Sequence, residues 1–138
     1  MPQTVYCTFN ALVRALPFER AVFMLADESR GWLSYVASFG SFEEEEKKFL
    51  KRAFNSPNSE HMPDIKAYFQ KQPVFSGDSI FEGYWPFAAF PVIWHDEVIG
   101  VFYADRLEDS DARPLDTPEQ VALIALAEQW HEVPPEFC

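Results

Sequence analysis

The stretch that decides the fold is residues 87–106, FAAFPVIWHDEVIGVFYADR. Two apolar runs, 87–94 and 98–104, flank the polar break His95-Asp96-Glu97. β-Branched and aromatic residues on both sides of a tight polar break predict a β-hairpin. Both arms are almost wholly apolar, so the hairpin belongs in the middle of the molecule, covered on at least part of each face.

Upstream, residues 3–16 place Val5, Phe9, Leu12, Val13 and Leu16 on one helical stripe, closed by Pro17. Residues 20–26, RAVFMLA, read as a strand, and 27–31, DESRG, as the polar turn after it. Residues 32–39 follow as a second strand whose alternation puts Leu33, Tyr35, Ala37 and Phe39 on one face. Residues 41–54 carry helix signals. Ser41 and Glu44 have capping-box spacing, the carboxylates of 43–46 suit a first turn, and Lys47, Lys48, Lys51 and Arg52 follow at pairing distances. Phe42, Phe49, Leu50 and Phe54 would form its buried side. The acidic run reads as a solvated helix start rather than a metal site.

Residues 55–63 form a polar loop, 64–70 a short helix, 73–75 a brief strand and 76–85 a further loop. After the hairpin comes an acid- and proline-rich loop, 107–116. The last helix, about 117–131, opens on Thr117-Pro118-Glu119-Gln120: an N-cap, a proline at the first helical position and Gln at the capping-box position. Val121, Ile124 and Ala125 lie on one side of it, and Leu123, Ala127 and Trp130 on another. A helix apolar over so much of its circumference requires cover on more than one side. The candidates are the N-terminal helix, the same helices in a second copy, or both.

A chain of 138 residues suits one domain over 1–138: a helix at about 3–16, a core at about 20–106 and the final helix. Aromatic residues make up 17% of it, a bulky core able to line a cavity. A net charge of -11 opposes nucleic acid and anionic membrane as partners. No segment reaches the ~20 apolar residues that span a bilayer, and the opening MPQTVYCTFN lacks a signal-peptide pattern, so a cytoplasmic location is expected. Cys7 and Cys138 then read as two separate reduced thiols, with a terminal disulfide as the alternative. His61 falls in a loop, His95 in the hairpin turn and His131 in the last helical turn, none with a metal-ligating or catalytic partner close in sequence. Asp105 and Arg106 are expected to form a structural ion pair. No P-loop, GxGxxG, GxSxG or HExxH pattern occurs, so neither enzyme chemistry nor a metal site is expected.

Four segments in order carry a family resemblance: AVFMLADESRGWLSYVASFG (21–40), YFQKQPVFSGD (68–78), the 87–106 hairpin, and TPEQVALIALAEQ (117–129). Together they resemble GAF domains of bacterial signalling proteins, with a PAS-like sensor as the alternative fold. The resemblance implies an α+β, GAF-like and PAS-related fold: an antiparallel sheet of five or six strands. Terminal helices would lie on one face, and short helices and loops over a pocket on the other. Its walls would come from residues 55–85 and inward strand positions, giving Phe69, Phe75, Phe81, Tyr84, Trp85, Phe87 and Tyr103 as ligand-binding candidates. Taken singly, each is explained by core filling; Tyr84, Trp85 and Tyr103 stand out because a buried polar tip needs a partner.

The residue set of cyclic-nucleotide-binding relatives is not readable here, and cysteines placed like those of bilin-binding domains or GAF-fold methionine sulfoxide reductases are missing, so the cofactor stays unknown. The resemblance implies a non-catalytic sensory or regulatory domain that binds an unidentified small molecule. It would form a homodimer through the terminal helices and serve an output domain of a longer protein. The alternative is a dimerisation or interaction scaffold whose pocket is filled by its own side chains.

Overall fold

Backbone pairing between β4 (Tyr84–Trp94) and β5 (Glu97–Leu107) sets the frame of the molecule, which a computed structural model describes over residues 3–48 and 50–132. His95 and Asp96 form the turn, with φ of 51° and 65°. Two successive left-handed residues match the twist of a two-residue hairpin, and a short polar Asp tolerates that conformation better than most side chains. Glu97, expected in the break, instead opens β5 opposite Trp94. β1 (Arg20–Asp27) pairs with β5, β2 (Trp32–Phe39) with β1, and β3 (Lys51–Ala53) with β2. The result is a five-stranded antiparallel sheet in the order β3-β2-β1-β5-β4. Residues 73–75 add only a bridge on the outer edge of β4, where Val74 and Ala89 exchange backbone hydrogen bonds of 2.7 and 2.9 Å.

One face of the sheet carries α1 (Gln3–Arg14) and α4 (Thr117–Glu132). Phe9, Leu12, Leu123 and Ala127 pack there against Phe23, Phe90 and Phe102. Phe102 is the hub, with ring centroids at 4.7 Å to Phe23, 5.2 Å to Phe90 and 5.7 Å to Phe9. Gly100 is required beside it, because a Cβ there would lie 2.7 Å from the Met24 carbonyl oxygen and from the Phe23 ring. The other face carries α3 (Pro63–Gln70) and the loop 76–83, with Ile65 and Ala67 against Val22, Met24, Val101 and Tyr103.

Three elements depart from the sequence reading. Residues 41–54 are not one helix: α2 covers only Glu44–Lys48, and the chain then runs as β3. Local capping and charge signals do operate, since the Glu43 amide donates to Glu46 Oε1 at 2.9 Å. A helix continued through residue 54 would leave the outer edge of β2 unpaired. As β3, the segment joins that edge, and the Leu50 carbonyl accepts from the Tyr35 amide at 2.9 Å. Tertiary pairing overrides the local preference. Phe49 lies outside the described residues.

The single face assigned to β2 is also broken. Phe23 opposes Ala37 while Met24 opposes Tyr35, which makes Val36 an extra, bulged residue. Leu33 and Tyr35 therefore pack on the α3 side, whereas Ala37 and Phe39 reach the α1 side. The capping box of α4, finally, starts one residue early. The Glu119 amide donates to Asp116 Oδ1 at 2.8 Å and the Asp116 amide to Glu119 Oε1 at 2.9 Å, in place of the Thr117–Gln120 pairing.

On α4, Leu123 and Ala127 are buried, while Val121 is 58% and Ile124 40% exposed. The side chains of Trp130 and His131 lie outside the described residues. Cys7, expected as a reduced thiol, is disulfide-bonded; Cys138 lies outside the described residues.

Candidate functional site

The face opposite the terminal helices is organised around a buried charge. Arg20 opens β1 directly across from Asp105 of β5 and, by strand alternation, shares a face with Val22 and Met24. Its Nε donates to Asp105 Oδ1 at 2.8 Å and its Nη2 to Oδ2 at 2.9 Å, a bidentate pair. Nη1 reaches the Ser41 carbonyl and Glu46 Oε2, each at 3.4 Å. Three rings enclose the guanidinium, with centroids at 3.5 Å for Tyr84, 4.2 Å for Phe42 and 4.8 Å for Phe81. Arg20 is 4% exposed and Asp105 0%.

Burial works to lower the Arg20 pKa, but the hydrogen bonds and charge of Asp105 outweigh it and raise the value. Burial pushes the Asp105 carboxyl up, and the Arg20 fork draws it back. Tyr103 lies beside this pair and is fully buried, with its hydroxyl accepting from the Ile80 amide at 3.1 Å. Burial foremost, then the charge of Asp105, holds that hydroxyl well above its usual range, so it stays protonated.

The expected Asp105–Arg106 pair does not form, because neighbours along a strand point to opposite faces. Arg106 instead binds Asp109 at 3.2 Å and approaches Glu19 at 3.9 Å. A second clamp, Arg52 to Asp64 at 2.8 and 3.2 Å, ties β3 to α3.

The aromatic candidates divide into three groups. Phe81, Phe87 and Tyr103 pack together, with centroid distances to Tyr103 of 6.3 and 6.1 Å, and Phe42 adds to Phe81 at 5.5 Å. Tyr84, Trp85 and Phe87 line a shallow groove of about 390 Å³ under the 77–83 loop, rimmed by Asp78, Glu82 and Glu108. Phe69 joins neither group, and Phe75 meets Trp85 and Phe87 only in a separate small cavity of about 140 Å³. Phe69 is 60% exposed at the end of α3 against Phe54 and Tyr68. Phe75 packs on the helix side of the sheet, where it lines a hollow of about 490 Å³ with Pro91, Ile124 and Ala127.

Arg20 was not among the sequence candidates, although a signal existed: a charge at the head of an apolar strand, with Asp105 closing another. Arg is almost never fully buried unless paired. His61 is exposed beside Glu60 at 3.5 Å, and His95 sits in the turn against the Trp94 ring. No helix among the described residues is long and apolar enough to cross a membrane.

No family model and no curated protein matches the sequence. Among solved structures, the fold is similar to the GAF domain of a phosphoenolpyruvate-protein phosphotransferase from Coxiella burnetii, with a TM-score of 0.68 and 16% identity over 94% of this chain and 81% of that one. It is similar to the GAF-B domain of DevS from Mycobacterium smegmatis, with a TM-score of 0.66 and 16% identity over 94% and 90% of the two chains. It also resembles free methionine-R-sulfoxide reductase from Neisseria meningitidis, with a TM-score of 0.67 and 15% identity over 96% and 78%. The chain therefore has the GAF fold, α+β with a five-stranded antiparallel sheet. That fold is shared by GAF domains of larger proteins and by a reductase, so function has to be argued from the site.

Proposed function

We propose that this chain is a non-catalytic sensory or regulatory domain of a bacterial signalling protein, binding a small molecule on the loop face and pairing through α4. The observation that carries the reading is the open groove of about 390 Å³ on the loop face of a GAF fold. Binding is favoured over catalysis because the buried polar groups beside the groove already satisfy one another. Asp105 holds Arg20, Arg52 holds Asp64, and Tyr103 holds the Ile80 amide. A catalytic acid or base has to be free to exchange its proton with substrate.

The exposed Val121 and Ile124 side of α4 supports a homodimer, since a helix apolar on two sides gains by covering both. Ligand binding would shift the pose of α4 and so bias an output domain of a longer protein.

A second reading has its own observation. Arg20, Phe42, Phe81 and Tyr84 fill the space where the resemblance placed the pocket, which favours a scaffold without a ligand. Native mass spectrometry of the freshly purified chain, followed by denaturation of the same sample, tests both. A dimer that releases extra mass upholds the sensor. A bare dimer upholds the scaffold, and a bare monomer overturns the α4 interface.

A further inference from the structure

The groove carries more information than its volume. Among the described residues that line it, Asp78, Glu82 and Glu108 are acidic, Tyr84, Trp85 and Phe87 are aromatic, and none is basic. The three acidic residues are exposed, while Tyr84 and Trp85 are half-buried and Phe87 is buried, so charge lies toward solvent and ring surface toward the core. An aromatic floor under an acidic rim attracts a cation twice, through the ring quadrupoles and through net charge.

A second observation points the same way. Tyr84 belongs both to the groove wall and to the enclosure of Arg20, whose guanidinium lies 3.5 Å from its ring centroid. Of the three groove rings Tyr84 is the one that meets this guanidinium, so Arg20 shows a cation accepted on one face of Tyr84 and leaves Trp85 and Phe87 to the groove. Arg20 does not make the wall repulsive, because Asp105 and Glu46 both face its charge. The charged lining of the groove is thus three carboxylates, Asp78, Glu82 and Glu108, and the guanidinium behind Tyr84 is matched by carboxylates of its own.

Resting on the small-molecule reading above, we infer that the groove between the 77–83 loop and the start of β4 accepts a small organic cation with an apolar body, such as a substituted ammonium, and rejects anions. An anionic ligand, including any phosphate-bearing one, would meet three rim carboxylates with no lining cation to answer it. A neutral ligand would gain the aromatic surface alone.

The test uses three probes of nearly equal shape: choline, 3,3-dimethyl-1-butanol and 3,3-dimethylbutanoate. The readout is the Trp85 indole N–H resonance of the whole chain, assigned with Trp85→Phe. Choline is expected to bind at least about fivefold tighter than the neutral alcohol, the factor that about 1 kcal/mol of cation–π attraction supplies. The carboxylate probe should leave the resonance unmoved. Asp78→Asn, Glu82→Gln and Glu108→Gln combined, all at exposed positions, should remove much of the preference, and added salt should weaken choline alone.

Equal binding of the alcohol would overturn the inference in favour of a merely apolar groove. Binding of the carboxylate would overturn its sign, and silence from all three probes would overturn the site. A neutral or anionic compound released in native mass spectrometry would sink the cation inference while leaving the sensor standing. A bare protein that is also silent to the probes would sink both.

Discussion

The two faces of the sheet solve burial in different ways. On the helix face the core is hydrocarbon apart from Thr8 of α1, with Phe9, Phe23, Phe90 and Phe102 nested among leucines and alanines. On the loop face the core is interrupted by two clamped charges, Arg20–Asp105 and Arg52–Asp64, and by the Tyr103 hydroxyl. Hydrocarbon packing is tolerant of exchange at equal volume, whereas a buried ion pair tolerates loss of neither partner. The helix face is thus suited to a fixed platform, and the loop face to a surface whose arrangement is specified group by group.

The sharpest way to break this contrast is Asp105→Ala. It leaves a 4% exposed guanidinium among three rings, with longer contacts of 3.4 Å to Glu46 and the Ser41 carbonyl in place of the bidentate partner. The expected cost is about 3–5 kcal/mol, read as a fall in the urea midpoint at constant m-value. Arg20→Met combined with Asp105→Leu should recover most of that loss, because the enclosing rings then hold an apolar group of similar size. A single-variant cost below about 1 kcal/mol would show that the pair is not a clamp.

On the helix face the matching probe is Gly100→Ala, where the new Cβ meets the Phe23 ring and the Met24 carbonyl at 2.7 Å. Overpacking of this kind costs about 1–3 kcal/mol. Phe23→Leu should relieve the ring contact but not the backbone one, so the double variant regains only part of the loss in thermal denaturation. Full recovery would mean that the sheet backbone yields and the platform is softer than its packing implies. Between the faces lies the hairpin tip, which is exposed and belongs to neither. There Asp96→Gly should stabilise by about 0.5–1 kcal/mol, because glycine adopts the φ of 65° without penalty. An unchanged midpoint would show that Asp96 is already relaxed in the turn.

What could be read in advance follows the same division. The hairpin, α1 and α4 were legible because their apolar spacing is local and the helix face asks for nothing else. The loop face was not. Residues 41–54 carry a capping signal and paired charges, yet their fate is decided by the open edge of β2, far away in sequence. The bulge at Val36 leaves no mark in the alternation it breaks. Of the seven aromatic candidates, Tyr84, Trp85 and Phe87 meet at the groove, and Phe81 and Tyr103 pack beside Phe87 in the core. Phe75 went to the opposite face, because Val74 is the residue that bridges Ala89. The organising residue, Arg20, was hidden because its meaning depends on a partner 85 positions away.

The smallest expected effect lies at the start of α4 and has the opposite electrostatic character to the clamp. Arg113 donates to Glu119 Oε1 at 2.7 Å, and the Asp116 amide donates to the same oxygen at 2.9 Å. The bond from Arg113, foremost, lowers the Glu119 carboxyl below its ordinary value. A lowered folded-state pKa adds stability above the unfolded value, about 4.3, and that stability is lost as pH falls through the folded value. The Asp116 amide resonance, whose N–H donates to the Glu119 carboxylate, should therefore titrate with a midpoint below about 4.3, and Arg113→Ala should move that midpoint up towards it. Because this group is at the surface, global stability should hardly change while the Asp116 amide resonance moves. A pH-dependent loss of the whole fold that tracks Glu119 would mean that the α4 cap, and not the clamp beneath the loop face, is the electrostatic control point of the domain.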